Sequence, residues 1–539
     1  MRRAIMNKPG KSLTSLSPEK RKLLNHLLEK KGIGVGHRDT IPRRQDTEPV
    51  VASFLQEGLW FLDQLHPGKA TYNVPGATRL KGRLDIRALE KALCEIVRRH
   101  ESLRTTFEQK NGKPHQVISS PESRHLRVID LEDRAQVERE AEALCLATEE
   151  AQTPFNLARG PLFRFFLIRL QEEEHILVLN MHHIVTDGWS MGVFTRELVA
   201  LYEAFTKGHA SPLQELPIQF PDFAIWQRSW LQGDVLEQQL SYWRKQLRGA
   251  PPALELPTDR PRPQFQTSRG NHRTMALSSS MSDALRMLTQ REDFTLFETL
   301  LAAFKILLSC YSGQNDIVVG SPSANRNRKE LEGLIGYFVN MLPLRTDLSG
   351  NPSFQELLSR VHESTMGAYA HPDLPFGKLV EELRIERDPS RNPVFQVEFI
   401  LLTYEHAPAI YGYGFRSPIK RSLEVSGLTL TPVEVESGVA KFDLVVLLWD
   451  IPEGISGTFE YNADLFEDAT IARMIELFEV LLKNIIAQPN AGLQTLKDLF
   501  DEKVKVISTQ NMQQERKKAN FQKLRTTKRK ATIAIERED

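Results

Sequence analysis

Residues 182–190 contain the side chains of this chain that are best suited to chemistry. They read His-His-Ile-Val-Thr-Asp-Gly-Trp-Ser, which places two imidazoles shortly before a carboxylate and a glycine. Near neutral pH an imidazole can accept the proton that an attacking nucleophile loses. A turn that leads into a helix also exposes backbone N–H groups and the positive end of the helix dipole, which suit an oxyanion. The segment therefore indicates proton transfer next to a site for a negative oxygen.

An apolar strand and an amphipathic helix are expected to position this segment. Residues 176–179 form an apolar run with strand character, and residues 191–205 have the apolar spacing of a helix. Because neighbouring strand residues point to opposite faces, only one of His182 and His183 can face a given cleft. The other histidine is expected to pack inward.

Other kinds of site have less support in the sequence. His182, His183 and Asp187 offer three potential metal ligands, but no HExxH or CxxC spacing accompanies them. A GxSxG elbow, a GxxxxGK[ST] loop and a GxGxxG turn are also missing, so serine hydrolysis and nucleotide binding are not indicated. An isolated histidine is more often a core residue than a catalytic one, and for His183 this alternative stays open.

The composition is that of an ordinary globular protein. The chain has 539 residues, 41% hydrophobic and 26% charged, with a formal net charge of +1, which gives no overall attraction to nucleic acid or acidic lipid. Its three cysteines are widely spaced, as in proteins of a reducing compartment. The basic start is followed by no signal-like apolar segment, and no run approaches the ~18 apolar residues of a membrane helix. We expect a cytoplasmic protein without a nucleic-acid or membrane partner.

The chain divides into four regions by its patterns. Residues 1–46 are basic and predict a helix and a linker, and residues 501–539 predict a flexible basic tail. Between them, strand patterns alternate with helices of 10–15 residues, which predicts an α/β fold. We expect a first lobe over residues 47–219 and a second over residues 220–500.

Residues 182–190 resemble the HHxxxDG motif of condensation domains from nonribosomal peptide synthetases, in the chloramphenicol-acetyltransferase-like superfamily. Further segments resemble the other motifs of this family in the same order: 53–62, 99–107, 220–226, 335–340, 371–376 and 387–393. The resemblance covers about residues 47–500. An ordered set of this kind identifies the chain as a member of the family.

The resemblance implies an acyltransferase with two chloramphenicol-acetyltransferase-like lobes that form a V around a central tunnel. A donor acyl or peptidyl thioester arrives on the phosphopantetheine arm of one carrier protein, and an aminoacyl acceptor arrives on a second carrier from the opposite side. Their condensation forms an amide bond in nonribosomal peptide or hybrid polyketide biosynthesis. The family implies donor and acceptor carrier proteins as partners and no cofactor of its own, and we expect a monomer.

The resemblance also implies roles for particular residues. His183 matches the second histidine of the motif and is the catalytic candidate, as base or as positioning group, whereas His182 packs inward. Gly188 offers its N–H to the tetrahedral oxyanion. Asp187 matches a structural acid, whose partner is expected to be Arg326.

The resemblance further implies that three residues near His183 line the tunnel or support the site from behind. They are Trp189, Ser190 and Asn340.

Two other functions stay open. One is an acyltransferase that forms an ester, or that takes its acyl group from coenzyme A and passes it to a free amine or alcohol. The other is a non-catalytic scaffold that binds carrier proteins. Since no adenylation-type sequence and no carrier motif occur in the chain, we expect a stand-alone or excised condensation protein.

Overall fold

The computed structural model describes residues 40–45, 48–122, 124–386, 388–403, 422–506 and 509. The predicted N-terminal helix and almost all of the basic C-terminal tail lie outside these residues.

The strands of the described chain belong to three sheets. In chain order they are β1 (Val50–Val51), β2 (Asn73–Lys81), β3 (Thr105–Lys110), β4 (Lys113–Ile118), β5 (Val128–Asp130), β6 (Phe163–Gln171), β7 (Glu174–His182), β8 (Gly270–Ala276), β9 (Asp316–Ser323), β10 (Asn340–Asp347), β11 (Val397–Thr403), β12 (Leu423–Val425), β13 (Leu428–Val433), β14 (Leu444–Ile451) and β15 (Gly454–Asn462).

Helices separate most of these strands. They are α1 (Phe54–Leu65), α2 (Ile86–Arg99), α3 (Gln136–Gln152), α4 (Gly188–Thr206), α5 (Phe220–Trp230), α6 (Gly233–Leu247), α7 (Ser279–Glu292), α8 (Leu296–Ser312), α9 (Phe354–Ala370), α10 (Phe376–Glu382) and α11 (Asp468–Ala487), followed by helical residues 493–506. Short 3-10 turns lie at Glu101–Arg104, His183–Val185 and Lys329–Leu331.

The first lobe is built on a six-stranded sheet with the order β12-β13-β2-β7-β6-β5. Helices α2 and α4 contribute to the apolar core on one face, and α3 contributes to the core on the other. Since both faces of β7 are covered, this strand is a nearly continuous apolar run rather than an alternating one. The small sheet β1-β4-β3 lies beside this lobe. The strand that leads to His182 is therefore rigidly held.

The second lobe is built on another six-stranded sheet, with the order β10-β9-β11-β14-β15-β8. Helices α7, α8, α9 and α11 share one large apolar core with it. Helix α8 begins at a capping box of Thr295 and Glu298 and ends at Gly313, whose φ of 72° suits glycine. The predicted α/β class with two lobes is confirmed.

A hairpin from the C-terminal half of the chain completes the sheet of the first lobe. Strand β13 pairs antiparallel with β2, from Thr429 opposite Lys81 to Val433 opposite Ala77, and β12 extends the sheet beyond it. A boundary at residue 219 therefore does not separate the two sheets completely. Backbone hydrogen bonds of this hairpin join the two halves of the chain.

No single helix in the described part of the chain is both long and apolar enough to cross a membrane. Helices α7 and α8 together have the length and apolar composition of a membrane span, but they are bent by 106° at their junction. Most residues of α8 are buried in the core of the second lobe.

The contact between β2 and the β12–β13 hairpin predicts a specific sensitivity at Gly82. Its φ is 117°, and an added Cβ would lie 2.5 Å from the carbonyl oxygen of Gly427. Gly82→Ala should lower the free energy of unfolding by the ~1 kcal/mol of the backbone conformation and by about 1–3 kcal/mol more for the clash. Urea unfolding measures this loss.

Gly68→Ala is the matched control. Gly68 has a φ of 73°, and an added Cβ would meet nothing within 4 Å, so only the backbone cost of ~1 kcal/mol should remain. Equal losses in the two variants would contradict the close approach at the hairpin.

Candidate active site

A cavity of about 3500 Å³ lies between the two lobes. The first lobe contributes α1 and the start of β2 to its walls, and the second contributes one face of the strands β11, β14 and β15. His182, His183, Asp187 and Gly188 line this cavity. The predicted histidine loop thus faces a space that both lobes enclose.

The histidine loop is a short turn between β7 and α4. Strand β7 ends at His182, one 3-10 turn follows, and Asp187 caps the helix by accepting a hydrogen bond from the Ser190 N–H at 2.8 Å. The buried side chain of Gln56 on α1 donates to the carbonyl of Ile184 at 3.1 Å. The turn is therefore fixed from its own helix and from α1.

His183 is half-buried, and its ring is held in one orientation. Its Nδ1 lies 2.9 Å from the carbonyl oxygen of Thr186, and since a carbonyl can only accept, Nδ1 carries the proton. The Nε2 lone pair is then available for a substrate proton. Burial, followed by the positive charge of Lys441, lowers the pKa of His183 to about 4. The imidazole is therefore neutral near pH 7.

His182 is 3% exposed and packs inward. Its Nδ1 accepts the Ile184 N–H at 3.1 Å, and the rings of His182 and Phe155 meet edge to face with centroids 6.0 Å apart. Burial, and then the neighbouring His183, lower the pKa of His182 to about 3. This side chain anchors the turn as an uncharged group.

The Asp187 carboxylate connects the histidine loop to segments from later in the chain. Besides the Ser190 N–H, its Oδ1 contacts the Arg326 guanidinium at 3.1 Å, and its Oδ2 accepts the backbone N–H of Phe338 at 2.9 Å. The side chains of Asp187 and Arg326 are each 1% exposed. A carboxylate of the first lobe is thus paired with a guanidinium and an amide from later in the chain.

Ser190 and Arg326 extend this network. The Ser190 hydroxyl accepts from Arg326 Nη2 at 2.8 Å and from the Gly336 N–H at 3.0 Å, and it lies 2.7 Å from Asp187 Oδ1. Arg326 also donates through Nη1 to the carbonyl of Leu331 at 2.6 Å. The network fixes the segment that carries Tyr337, whose ring centroid is 5.2 Å from that of His183.

The other sequence-predicted residues have different positions. Gly188 is the first residue of α4, where backbone N–H groups have no acceptor within the helix, and it lines the cavity. Trp189 donates its indole N–H to the carbonyl of Glu332 at 2.9 Å. Asn340 is buried and braces the loop before α10, donating to the carbonyl of Leu374 at 2.8 Å and accepting from the Phe376 N–H at 3.0 Å. Asn340 therefore supports the wall.

Sequence reasoning did not single out four further side chains near His183. They are Tyr72, Tyr337, Glu398 and Lys441, which all line the cavity. Glu398 had one usable signal, since it is the one charged residue of the otherwise largely apolar strand β11. Tyr337 lies within the motif segment 335–340, but a tyrosine at this position predicts no particular role from sequence alone.

Comparisons with known proteins agree with the motifs. The family model described as "Condensation domain" matches residues 46–524. A linear gramicidin synthase protein of Brevibacillus parabrevis is 46% identical over 488 residues, which are 90% of this chain and 6% of that protein. Phosphinothricin tripeptide synthetase PhsC of Streptomyces viridochromogenes is 40% identical, over 93% of this chain and 45% of that protein. The chain thus spans less than half the length of these relatives.

Solved structures share the fold. The X-domain from teicoplanin biosynthesis aligns with a TM-score of 0.76 and 29% identity, over 84% of this chain and 99% of that one. The first condensation domain of the calcium-dependent antibiotic synthetase, at 22% identity and a TM-score of 0.67, supports the fold alone. The chain belongs to the condensation-domain family of nonribosomal peptide synthetases. Condensation domains of this family are acyl or peptidyl transferases that form amide bonds, and the two-lobed chloramphenicol-acetyltransferase-like fold expected for this chain is confirmed.

The network around Asp187 predicts a large and non-additive loss of stability on mutation. Asp187→Ala or Arg326→Ala leaves a buried charge without its partner and should each cost about 3–5 kcal/mol of unfolding free energy. The double variant should lose less than the sum of the two. Denaturant unfolding of all three variants measures the coupling.

Arg244→Ala is the control for this cycle, because the Arg244–Glu237 ion pair is exposed and should contribute at most about 1 kcal/mol. Strict additivity of the Asp187 and Arg326 losses would mean that the two side chains do not interact.

Proposed function

We propose that His183 is the residue at which a donor thioester and an acceptor amine meet in this chain. The observation that carries the proposal is the geometry of His183. Its Nδ1 proton is engaged by Thr186, and within the described part of the chain no group hydrogen-bonds its Nε2, while the side chain lines a cavity between the lobes. A neutral imidazole with an open acceptor suits an incoming amine N–H.

The reaction is balanced by one proton transfer. The amine nitrogen attacks the thioester carbonyl carbon, the C–N bond forms, and the carbonyl oxygen becomes an oxyanion. Gly188 donates its N–H to this oxygen at the positive end of α4. The C–S bond then breaks, and the proton lost by the amine passes by way of His183 Nε2 to the departing thiolate.

The low pKa of His183, about 4, shapes its role. An imidazole this weakly basic does not remove a proton from the amine before attack. Its first role is to orient the amine by accepting a hydrogen bond from it. It receives the proton once attack on the carbonyl has made the nitrogen acidic. Holding two tethered substrates together supplies the rest, with effective molarities of up to ~10⁵–10⁸ M in well-oriented cases.

The proposal includes separate donor and acceptor carrier proteins, whose phosphopantetheine arms enter the cavity from opposite sides. We propose no resident cofactor. We also propose that the protein is a monomer in the cytoplasm, without nucleic-acid or membrane partners. A cavity lined by both lobes supports a common meeting place for the two arms. The free cysteines Cys94, Cys145 and Cys310 fit a reducing compartment.

Two other functions give different results in one assay. An ester-forming or coenzyme A-dependent acyltransferase would act on a free alcohol or amine. A scaffold would bind carriers without turnover, and the aligned X-domain is itself known in a complex with OxyB. The chain is incubated with an acyl-loaded carrier and an aminoacyl-loaded carrier, and mass spectrometry follows the acyl group. Transfer to the second carrier supports the proposal, whereas transfer only to free acceptors supports the first alternative.

His183→Ala should lower carrier-to-carrier transfer by about 10²–10⁴-fold with little change in the melting temperature. Because the pKa of His183 is lowered, the imidazole stays neutral above about pH 6, and the ratio of wild-type to variant rates should be constant between about pH 6 and 8.

His125→Ala is the control, since this histidine is 97% exposed and does not line the cavity. Its rate should equal that of the wild type. A folded His183→Ala variant with the wild-type rate would refute the assignment.

A further inference from the structure

The wall of the cavity formed by the second sheet carries charged side chains that the mechanism above does not use. Glu398 on β11 and Glu460 on β15 are both register partners of Val445 on β14, so the three side chains share one face. That face lines the cavity, together with Lys441, which precedes β14. Two carboxylates and one ammonium therefore lie at one place in this wall.

Glu398 has an unusual environment for a carboxylate. It is 9% exposed, and in the described part of the chain its side chain forms no hydrogen bond and no ion pair shorter than 4 Å. Its neighbours on the same face of β11 are the apolar side chains of Ile400 and Leu402. Burial raises the pKa of Glu398 to about 7, although the charge of Lys441 opposes this shift. A carboxylate without a close partner is costly in such surroundings.

The position of Glu398 relates it to the reacting groups. Its charge influences Tyr337, whose ring packs against that of His183. Lys441 influences both His183 and Glu398, and its Nζ lies 5.8 Å from the centre of the Tyr72 ring. Glu398 and His183 therefore line the same cavity and are linked through Lys441, which acts on both, and through Tyr337.

We infer that Glu398 is a specificity-determining residue that binds a side-chain ammonium on an aminoacyl group held at His183. The inference rests on the proposed function of the chain. The charge of Lys441 favours the ionised form of Glu398, and the charge of Glu460 opposes it. A substrate ammonium would give the buried Glu398 carboxylate the close partner that the described residues do not provide.

The apolar wall beside Glu398 explains why the cation is expected at the end of an alkyl side chain. The methylene groups of a lysine-like substrate pack against Ile400 and Leu402, while the terminal ammonium reaches the carboxylate. A purely apolar side chain of the same length would leave the carboxylate desolvated and unpaired. The preferred substrate is therefore a basic aminoacyl group, on either the donor or the acceptor carrier.

The test compares lysyl and norleucyl groups, which differ by the terminal amine, in direct competition on the full chain. In one arm the donor carrier is loaded with either group and the acceptor carrier with alanine. In the other arm the loading is reversed. Each product is quantified by mass spectrometry. The wild type should favour the lysyl group by about 10- to 100-fold in one of the two arms, the range for a charge-assisted hydrogen bond.

Glu398→Gln should abolish that preference while norleucyl transfer continues, which also serves as an internal check of folding. Asp63→Asn is the matched control, because it removes a carboxylate from α1 at the same cavity and should leave the preference intact.

Equal use of the two groups by the wild type in both arms, or the same preference in Glu398→Gln, would overturn the inference and leave the proposed function standing. Absence of transfer of either group in both arms would overturn the proposed function and the inference with it.

Discussion

The buried contact between Asp187 and Arg326 is the interaction on which the rest of the site depends. Asp187 caps the N-terminus of α4, where its carboxylate accepts the Ser190 N–H. This contact holds the turn that carries His183. Its other oxygen and Arg326 hold the segment around Phe338, which belongs to the later half of the chain. Two charges buried at this depth are stable only when each is paired and hydrogen-bonded, so the segments cannot separate without a large cost. The position of His183 relative to both lobes follows from this constraint.

The group proposed to act in the site, His183, is neutral, whereas the groups that position its loop, Asp187 and Arg326, are charged. Burial and the nearby Lys441 lower the pKa of His183, and the carbonyl of Thr186 selects its tautomer. The resulting imidazole offers one acceptor atom, which favours an amine over an anion. The same low polarity that keeps His183 neutral makes the buried carboxylate of Glu398 sensitive to what lies opposite it. Both effects come from the burial of the two side chains.

Local patterns predicted much of the fold. The apolar runs of β6 and β7 and the helical spacing of α8, α9 and α11 gave the α/β class, because these elements are long and strongly periodic. No local sequence pattern predicted that β13 and β12 extend the edge of the first sheet. This extension depends on a pairing between residues about 350 positions apart, from Thr429 to Lys81.

The residues of the histidine loop were predicted because their types and order match a known motif. A single sequence does not show which faces of distant strands meet. It therefore could not predict the support that Ser190 gives, or that Tyr337 and Glu398 line the cavity.

The central claim is that His183 is a neutral imidazole with its proton on Nδ1. Nitrogen NMR of protein labelled in histidine, assigned by comparison with His183→Ala, tests this most directly. The account predicts an Nδ1–H tautomer at pH 7 with a pKa well below the ordinary 6.5. An Nε2–H tautomer, or a titration near 6.5, would contradict it.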